Sequence, residues 1–375
     1  MSPSVRGGEG ALERILIEAR SLSGYDLGET VRGLARKLGR EPSEILKLNQ
    51  NENFFVPIDF LRGLLREAVE EADPRLYPTD EMMDLREALG GRLKVSSEEI
   101  VIGTGCDQLI DLVSRMTLGR GDVAISIAPT FSMYEYSVRV QRSDYMAIPL
   151  KDDFSLDVEK MLDSATPRTR LLFLCSPNNP TANQFDEEEI KHLAEGFRGL
   201  VIVDETYVDF AEDSIVPLIR EYENLVVLGT FSKAFGLAGL RLGYAVANRD
   251  LATAMMKRFQ LPYSVSAIAL RLGLKLLENV EVIESTFGTL KEERSRLIGS
   301  LNEVGGVHAL DSDTNFVLFQ VGMSSDETYR ALLKKGVIVR NIGRVLHMED
   351  CLRVVVAPSP MSGRFITALR EVLGE

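Results

Sequence analysis

The stretch from Arg170 to Glu205, RLLFLCSPNNPTANQFDEEEIKHLAEGFRGLVIVDE, holds two short apolar runs separated by a charged, amphipathic segment. RLLFLC and GLVIVDE show no polar alternation, so each predicts a strand covered on both faces. DEEEIKHLAEGF between them predicts a helix. Strand, helix, strand is the unit of a parallel sheet, because parallel neighbours need a long crossover. The alternation extends both ways. EEIVIG (98–103), DVAISIA (122–128) and YMAIPL (145–150) precede it, with DQLIDLVSRMTL (107–118) as a further helix. NLVVLG (224–229) and RLGYAVA (241–247) follow. The expected fold class is α/β, a mostly parallel sheet sandwiched by helices. RLGYAVA follows a short connection, so it is expected to be antiparallel or weakly placed.

Outside this region the texture differs. Residues 1–48 read as an arm plus a helix. Pro42 marks a helix start, and Leu34, Leu38, Ile45 and Leu46 supply a partial apolar stripe. Helical patterns cover about 58–72 and 80–93, separated by a loop in which Pro74 and Pro78 break helices on both sides. From Ala267 to Leu301 the pattern predicts one long helix. NFVLFQV, DETYRALLKKG, VIVRNI, CLRVVVA and SGRFITALREVL then alternate small strands and helices, as in a smaller α+β domain. The expected division is 1–56 as N-terminal arm and part of the small domain, 57–265 as the large domain, and 266–375 as the C-terminal small domain. A chain of 375 residues agrees with roughly two domains at ~100–200 residues each.

Composition narrows the function. Apolar residues make up 45% and charged residues 26%, ordinary for a globular protein. Lysine plus arginine against aspartate plus glutamate gives 43 − 56 = −13, a poor balance for nucleic-acid binding. Cys106, Cys175 and Cys351 lack CxxC partners, and His192, His308 and His347 are far apart, so no metal site is expected. The start MSPSVRGGEGALERILIEAR has no unbroken apolar core, and no apolar run approaches the ~18 residues of a membrane helix. A cytoplasmic, reduced setting without membrane contact is the expectation.

Four constellations fall at predicted strand ends. GTGCD (103–107) is a glycine turn feeding a helix, whose free N–H groups suit a phosphate. With Gln108 where a third glycine would stand, it completes no dinucleotide fingerprint. SPNNP (176–180) holds Asn179 stiffly before Pro180, so its amide can donate a fixed hydrogen bond. In VIVDETYVDF (201–210), Asp204 ends an apolar strand, a costly placement unless it faces a cation, and Tyr207 can reach the same cavity. In GTFSKAFGLAGLRLG (229–243), Thr230, Ser232 and Arg241 form a phosphate clamp. Lys233 sits there among Phe231, Ala234, Phe235, Leu237 and Ala238, where an amine tends toward a depressed pKa and nucleophilicity. One ligand satisfies all four. It needs a phosphate, a carbonyl for Lys233, a basic ring nitrogen for Asp204 and a phenolic oxygen for Asn179 and Tyr207. Pyridoxal 5′-phosphate has each of these.

The order GTGCD, an aromatic after APT, SPNNP, VDETY, SKAFGLAGLRLG and CLRVVV resembles the fold type I aminotransferases, nearest the histidinol-phosphate aminotransferase branch. The likeness runs from Tyr25 to about residue 370. It implies an aspartate aminotransferase-like fold. It also implies transfer of an amino group from L-histidinol phosphate to 2-oxoglutarate, giving imidazole-acetol phosphate and glutamate in histidine biosynthesis. Carried over residue by residue, Lys233 bonds the cofactor and shuttles the proton, Asp204 pairs with the pyridine nitrogen, and Asn179 and Tyr207 bind the ring oxygen. The backbone at Gly105 and Cys106, with Thr230, Ser232 and Arg241, holds the phosphate, while Phe131 stacks on the ring. Arg353 resembles the arginine that binds a substrate carboxylate. Arg340 and Tyr25 resemble contacts to the substrate's phosphate. Tyr77 resembles the residue that enters the neighbouring subunit's site, so a homodimer is expected.

Three positions depart from the family pattern. Ala182 replaces the glycine of NPTG, and a slightly altered loop is expected there. Phe54 replaces the proline of NENPY, and Gln108 replaces a common acidic residue. Within the fold, aromatic or other amino-acid aminotransferases and a threonine-phosphate decarboxylase are the rival readings. A non-catalytic cofactor-binding regulator would carry a basic recognition helix, which residues 1–48 lack.

Overall fold

The computed structural model describes residues 10–22, 24 and 28–375. The chain starts with helices α1 (Ala11–Ser21) and α2 (Val31–Leu38), the short strand β1 (Leu46–Lys47), and helices α3 (Ile58–Glu71) and α4 (Thr79–Leu93). Strands and helices then alternate: β2 (Ile100–Gly103), α5 (Gly105–Thr117), β3 (Val123–Ala128), α6 (Met133–Val140), β4 (Asp144–Pro149), α7 (Val158–Asp163), β5 (Thr169–Cys175), α8 (Glu187–Gly196) and β6 (Leu200–Asp204). Next come β7 (Leu225–Thr230), β8 (Gly243–Ala247), α9 (Arg249–Ala254), α10 (Ala267–Glu278) and α11 (Val280–Asn302). The last part holds β9 (Val307–Ala309), β10 (Phe316–Val321), α12 (Ser325–Lys334), β11 (Val337–Ile338), β12 (Arg340–Val345), β13 (Met348–Val355) and α13 (Ser359–Leu373).

Among the described residues these strands form three sheets. The largest has seven strands in the order β2-β8-β7-β6-β5-β3-β4. Its apolar strands split by alternate residues between two cores. Leu171, Phe173 and Ile202 pack on one face; Leu172, Leu174, Val201 and Val203 pack on the other. Coverage of both faces is why these runs lack polar alternation. Burying each such side chain is worth about 1.5–3 kcal/mol. β3 to β7 pair in parallel, whereas β8 is antiparallel to both β7 and β2, as its short connection predicts. The helix between β5 and β6 begins with a reciprocal cap. The Asp186 carboxylate accepts from Glu188 N–H at 2.7 Å, and the Glu189 carboxylate accepts from Asp186 N–H at 3.4 Å. A four-stranded antiparallel sheet, β12-β13-β10-β9, and the parallel pair β1-β11 complete the set.

Three local expectations are corrected. Pro42 opens only a single 3-10 turn, Pro42–Glu44. Leu34 and Leu38 lie on the earlier helix α2, and Leu46 leaves to pair with Val337. The apolar stripe thus serves two elements instead of one helix. The long helix is interrupted at Asn279, whose side chain donates to Lys275 O at 2.8 Å while its backbone leaves the helical region. VIVRNI is not one strand. Val337 and Ile338 pair with β1, and from Arg340 the chain joins the four-stranded sheet.

Candidate active site

Because β2, β5, β6 and β7 run the same way, their carboxyl ends meet at one edge of the large sheet. There the chain encloses a cavity of about 660 Å³, whose walls include Asp204, Lys233, Arg241, Arg340 and Arg353. Asp204 is the last residue of β6 and is only 2% exposed. Its Oδ1 accepts from Thr206 N–H at 3.1 Å and from the Thr206 hydroxyl at 2.6 Å; its Oδ2 accepts from the Tyr134 hydroxyl at 2.9 Å. Burial raises the Asp204 pKa, and the donors from Thr206 and Tyr134 oppose that rise.

Lys233 stands just beyond β7. Its Nζ donates to Gln50 O at 2.9 Å and lies 6.0 Å from the centre of the Tyr207 ring. Burial, then repulsion from Arg353, lowers its pKa to about 8. An amine that is partly neutral near physiological pH can attack a carbonyl and can take or give a proton.

A compact anion cradle flanks the lysine. Gly105 has φ +76°, and a Cβ there would fall 2.6 Å from Arg241 Nη2. Glycine is therefore needed both for the turn and for the guanidinium's approach. Arg241 itself adopts φ 55°, donates to Ser232 Oγ at 3.4 Å and pairs with Asp107 at 2.9 Å. Ser232 and Cys106 line the cavity. Thr230 lines it too, with its hydroxyl turned to the main chain: it donates to Leu242 O at 3.3 Å and accepts from Ser232 N–H at 3.1 Å.

The opposite wall is built from distant parts of the chain. Asn179 Oδ1 accepts from Arg353 Nη1, and Arg353 Nη2 donates to Asn49 O at 3.0 Å. The Tyr207 hydroxyl accepts from Asn51 Nδ2 at 2.9 Å. Arg353 is registered directly opposite Arg340 on the neighbouring strand. Two like charges facing each other across a ladder are unfavourable without an anion nearby. Phe131 lines the cavity and meets the Tyr134 ring edge-on, with centroids 5.7 Å apart.

Tyr77, whose expected place is a neighbouring subunit's site, is not on this cavity's wall. Tyr77 is 74% exposed and stacks on Tyr263, with ring centroids 4.4 Å apart. Tyr25 lies outside the described residues. Sequence reasoning also missed several positions. Asn178 staples the loop by donating to Pro129 O at 3.0 Å and Thr181 Oγ1 at 2.8 Å, while its Oδ1 accepts from Thr130 Oγ1 at 2.8 Å. Its signal was the doubled asparagine of SPNNP. The segment Asn49–Asn53 is the other omission: it meets Lys233, Arg353 and Tyr207, and Asn53 Nδ2 donates to Ala234 O at 2.8 Å. Its signal was a run of three asparagines, Asn49, Asn51 and Asn53. Tyr134 and Asp107 gave no signal beyond their nearness to Phe131 and Cys106.

Two of the three departures find physical accounts. Ala182 is fully buried at φ 68° and keeps a left-handed turn, with its N–H donating to Asn178 O at 2.8 Å and its carbonyl accepting from Asp313 N–H at 2.7 Å. That conformation costs a non-glycine residue about 1–2 kcal/mol. Gln108 accepts from Thr104 N–H at 3.2 Å and so secures the glycine turn.

The aminotransferase class I and II family model matches residues 43–368. A histidinol-phosphate aminotransferase of Methanosarcina mazei is 38% identical over 359 residues, covering 95% of this chain and 96% of its own. The crystal structure of histidinol-phosphate aminotransferase from Sinorhizobium meliloti in complex with pyridoxal-5′-phosphate is similar, with TM-score 0.84, 26% identity and coverage of 95% and 96%. Aspartate aminotransferase from Thermus thermophilus with maleate shares the fold, with TM-score 0.76, 21% identity and coverage of 95% and 98%. Since the family match takes in every strand that brings a side chain to the cavity, the chain belongs to the aminotransferases of class I and II.

Proposed function

We infer that this chain is a pyridoxal-phosphate-dependent aminotransferase that moves the amino group of L-histidinol phosphate to 2-oxoglutarate, giving imidazole-acetol phosphate and glutamate. One observation carries the chemistry: an amine with a pKa near 8 and a buried carboxylate share a cavity with an anion cradle. The residues fit the cofactor. The space beside Gly105 is one that a Cβ would fill, and Arg241 and Ser232 border it. Asp204 would supply the negative partner for a ring nitrogen, and Asn179 and Tyr207, both on the cavity wall, would bind a phenolic oxygen. When bound, the cofactor supplies a carbonyl for Lys233 and an electron sink for the substrate's α-carbon.

The protein's own residues do the rest. Lys233 Nζ would take and return a proton, which its lowered pKa suits near neutral pH. Asp204 holds positive charge on the ring nitrogen. Arg353 and Arg340 bind the anionic ends: a phosphate on the donor, two carboxylates on the acceptor. The relatives named histidinol-phosphate aminotransferase support that donor.

The same reading includes a homodimer, in which Tyr77 reaches the partner's site. Its support is the exposed Tyr77–Tyr263 stack, which lies off this chain's own cavity wall. We place the enzyme in the cytoplasm; three buried, unpaired thiols suit a reducing compartment. No helix among the described residues is long and apolar enough to cross a membrane. The division into 1–56, 57–265 and 266–375 is supported by the separate smaller sheet and by the pairing of β1 with β11.

The test is a panel of amino donors, histidinol phosphate included, assayed for glutamate formed from 2-oxoglutarate. The highest kcat/KM is expected for histidinol phosphate. Preference for an aromatic amino acid overturns the donor, and decarboxylation without any keto acid overturns the transamination. Borohydride reduction of the loaded protein should fix the cofactor to Lys233.

A further inference from the structure

A carboxylate buried as deeply as that of Asp204 does not stay ionised unaided. Its surroundings divide its two oxygens unequally. Thr206 gives Oδ1 both its N–H and its hydroxyl, and that hydroxyl is also 3.6 Å from Cys106 Sγ. Among the described residues, Oδ2 accepts its hydrogen bond from the Tyr134 hydroxyl, at 2.9 Å. Tyr134 is fully buried. Its ring stacks on Phe173 of the central strand β5, with centroids 5.0 Å apart and planes 7° apart. Its edge also meets Phe131, the aromatic on the cavity wall. One buried side chain thus touches both Asp204 and the cavity-wall aromatic Phe131.

We propose that Tyr134 is a positioning residue that fixes the charge and orientation of Asp204, and through it the protonation of the cofactor's ring nitrogen. The role rests on the cofactor reading above. A hydroxyl donated to one oxygen stabilises the carboxylate over the acid. It therefore leaves the shared proton on the ring nitrogen, where it draws electrons from the substrate carbon. Without that hydroxyl the carboxylate is the stronger base and draws the proton to itself. The ring is then neutral and a weaker electron sink. Burial holds the Tyr134 phenol itself well above its ordinary pKa, so it remains a donor over the working pH range.

The test reads the nitrogen directly. Tyr134→Phe is loaded with coenzyme labelled with ¹⁵N in the ring, and its resonance is compared with that of the unaltered enzyme at one pH. The expected result is a move from the pyridinium position toward that of neutral pyridine. With it, kcat should fall roughly tenfold to a hundredfold, the effect of losing a hydrogen bond to a charged group. KM for the donor should stay nearly unchanged, and so should the melting temperature. A second variant, 3-fluorotyrosine at position 134, keeps the packing and strengthens the donor, and should move the resonance the other way. A resonance unmoved in both variants overturns the role of Tyr134. An unaltered enzyme that takes up no coenzyme overturns the cofactor reading instead.

Discussion

The two ends of the cavity are built differently. On the proposed reading, the cofactor end comes from turns that directly follow strands of one sheet: Gly105 after β2, Asn179 after β5, Asp204 closing β6, and Ser232 and Lys233 after β7. Each is held by its own short neighbourhood. The substrate end draws Arg340 and Arg353 from the small antiparallel sheet and places them against Asn49–Glu52 from the start of the chain. On that reading, chemistry common to many donors would be anchored at the sheet edge, and choice of donor would fall to a surface assembled from distant segments, where a small displacement of one segment alters what is accepted.

The comparison can be broken at either end. The largest effect is expected at the cofactor end. Lys233→Ala should lower turnover by about 10⁴-fold or more, the upper range of positioned proton transfer, and abolish borohydride fixation. Residual turnover near that of the unaltered enzyme refutes its role. At the substrate end, Arg353→Ala should raise KM chiefly for 2-oxoglutarate, roughly tenfold to a hundredfold. Arg340→Ala should raise KM chiefly for phosphorylated donors. Steady-state kinetics with phosphorylated and unphosphorylated donors separates the two. Equal effects on every substrate would mean that the arginines do not divide the work.

A smaller effect concerns pH. The neutral amine is the reactive form, and burial favours it. In coenzyme-free protein the acylation rate of Lys233 should therefore be half-maximal near pH 8, below the 10.5 of an ordinary lysine. Mass spectrometry of peptides labelled at a series of pH values checks this, and a midpoint above pH 10 contradicts it. The smallest effect is expected at Ala182. Glycine there relieves the left-handed strain but adds freedom to the unfolded chain, so thermal unfolding should change by no more than about 1 kcal/mol.

Legibility in the sequence follows the same division. The large sheet could be read because strands buried on both faces leave continuous apolar runs, and even the reversed direction of β8 followed from its short connection. Lys233, Asp204 and Asn179 were legible because strand, turn and chemistry are adjacent in sequence. Partnerships across hundreds of residues left no local trace. Arg353 with Asn179 and Asn49, Tyr207 with Asn51, and Tyr134 with Asp204 exist only once the chain has folded. The break at Asn279 and the parting of Val337 from Arg340 were missed for a related reason. A residue's preference for leaving a helix, or a strand's change of partner, is decided by packing that periodicity does not record.

The reversal of β8 also explains an economy of layout. A seventh strand in the common direction would have needed a crossover along the sheet, starting its return from the far rim. By doubling back at once, the polypeptide makes a single excursion over the near rim and carries Lys233 on the way out and Arg241 on the way home. Lys233 and Arg241 thus ride on one short tether. A change in that tether's length would shift both at once, so the distance between them is inherited from the hairpin itself.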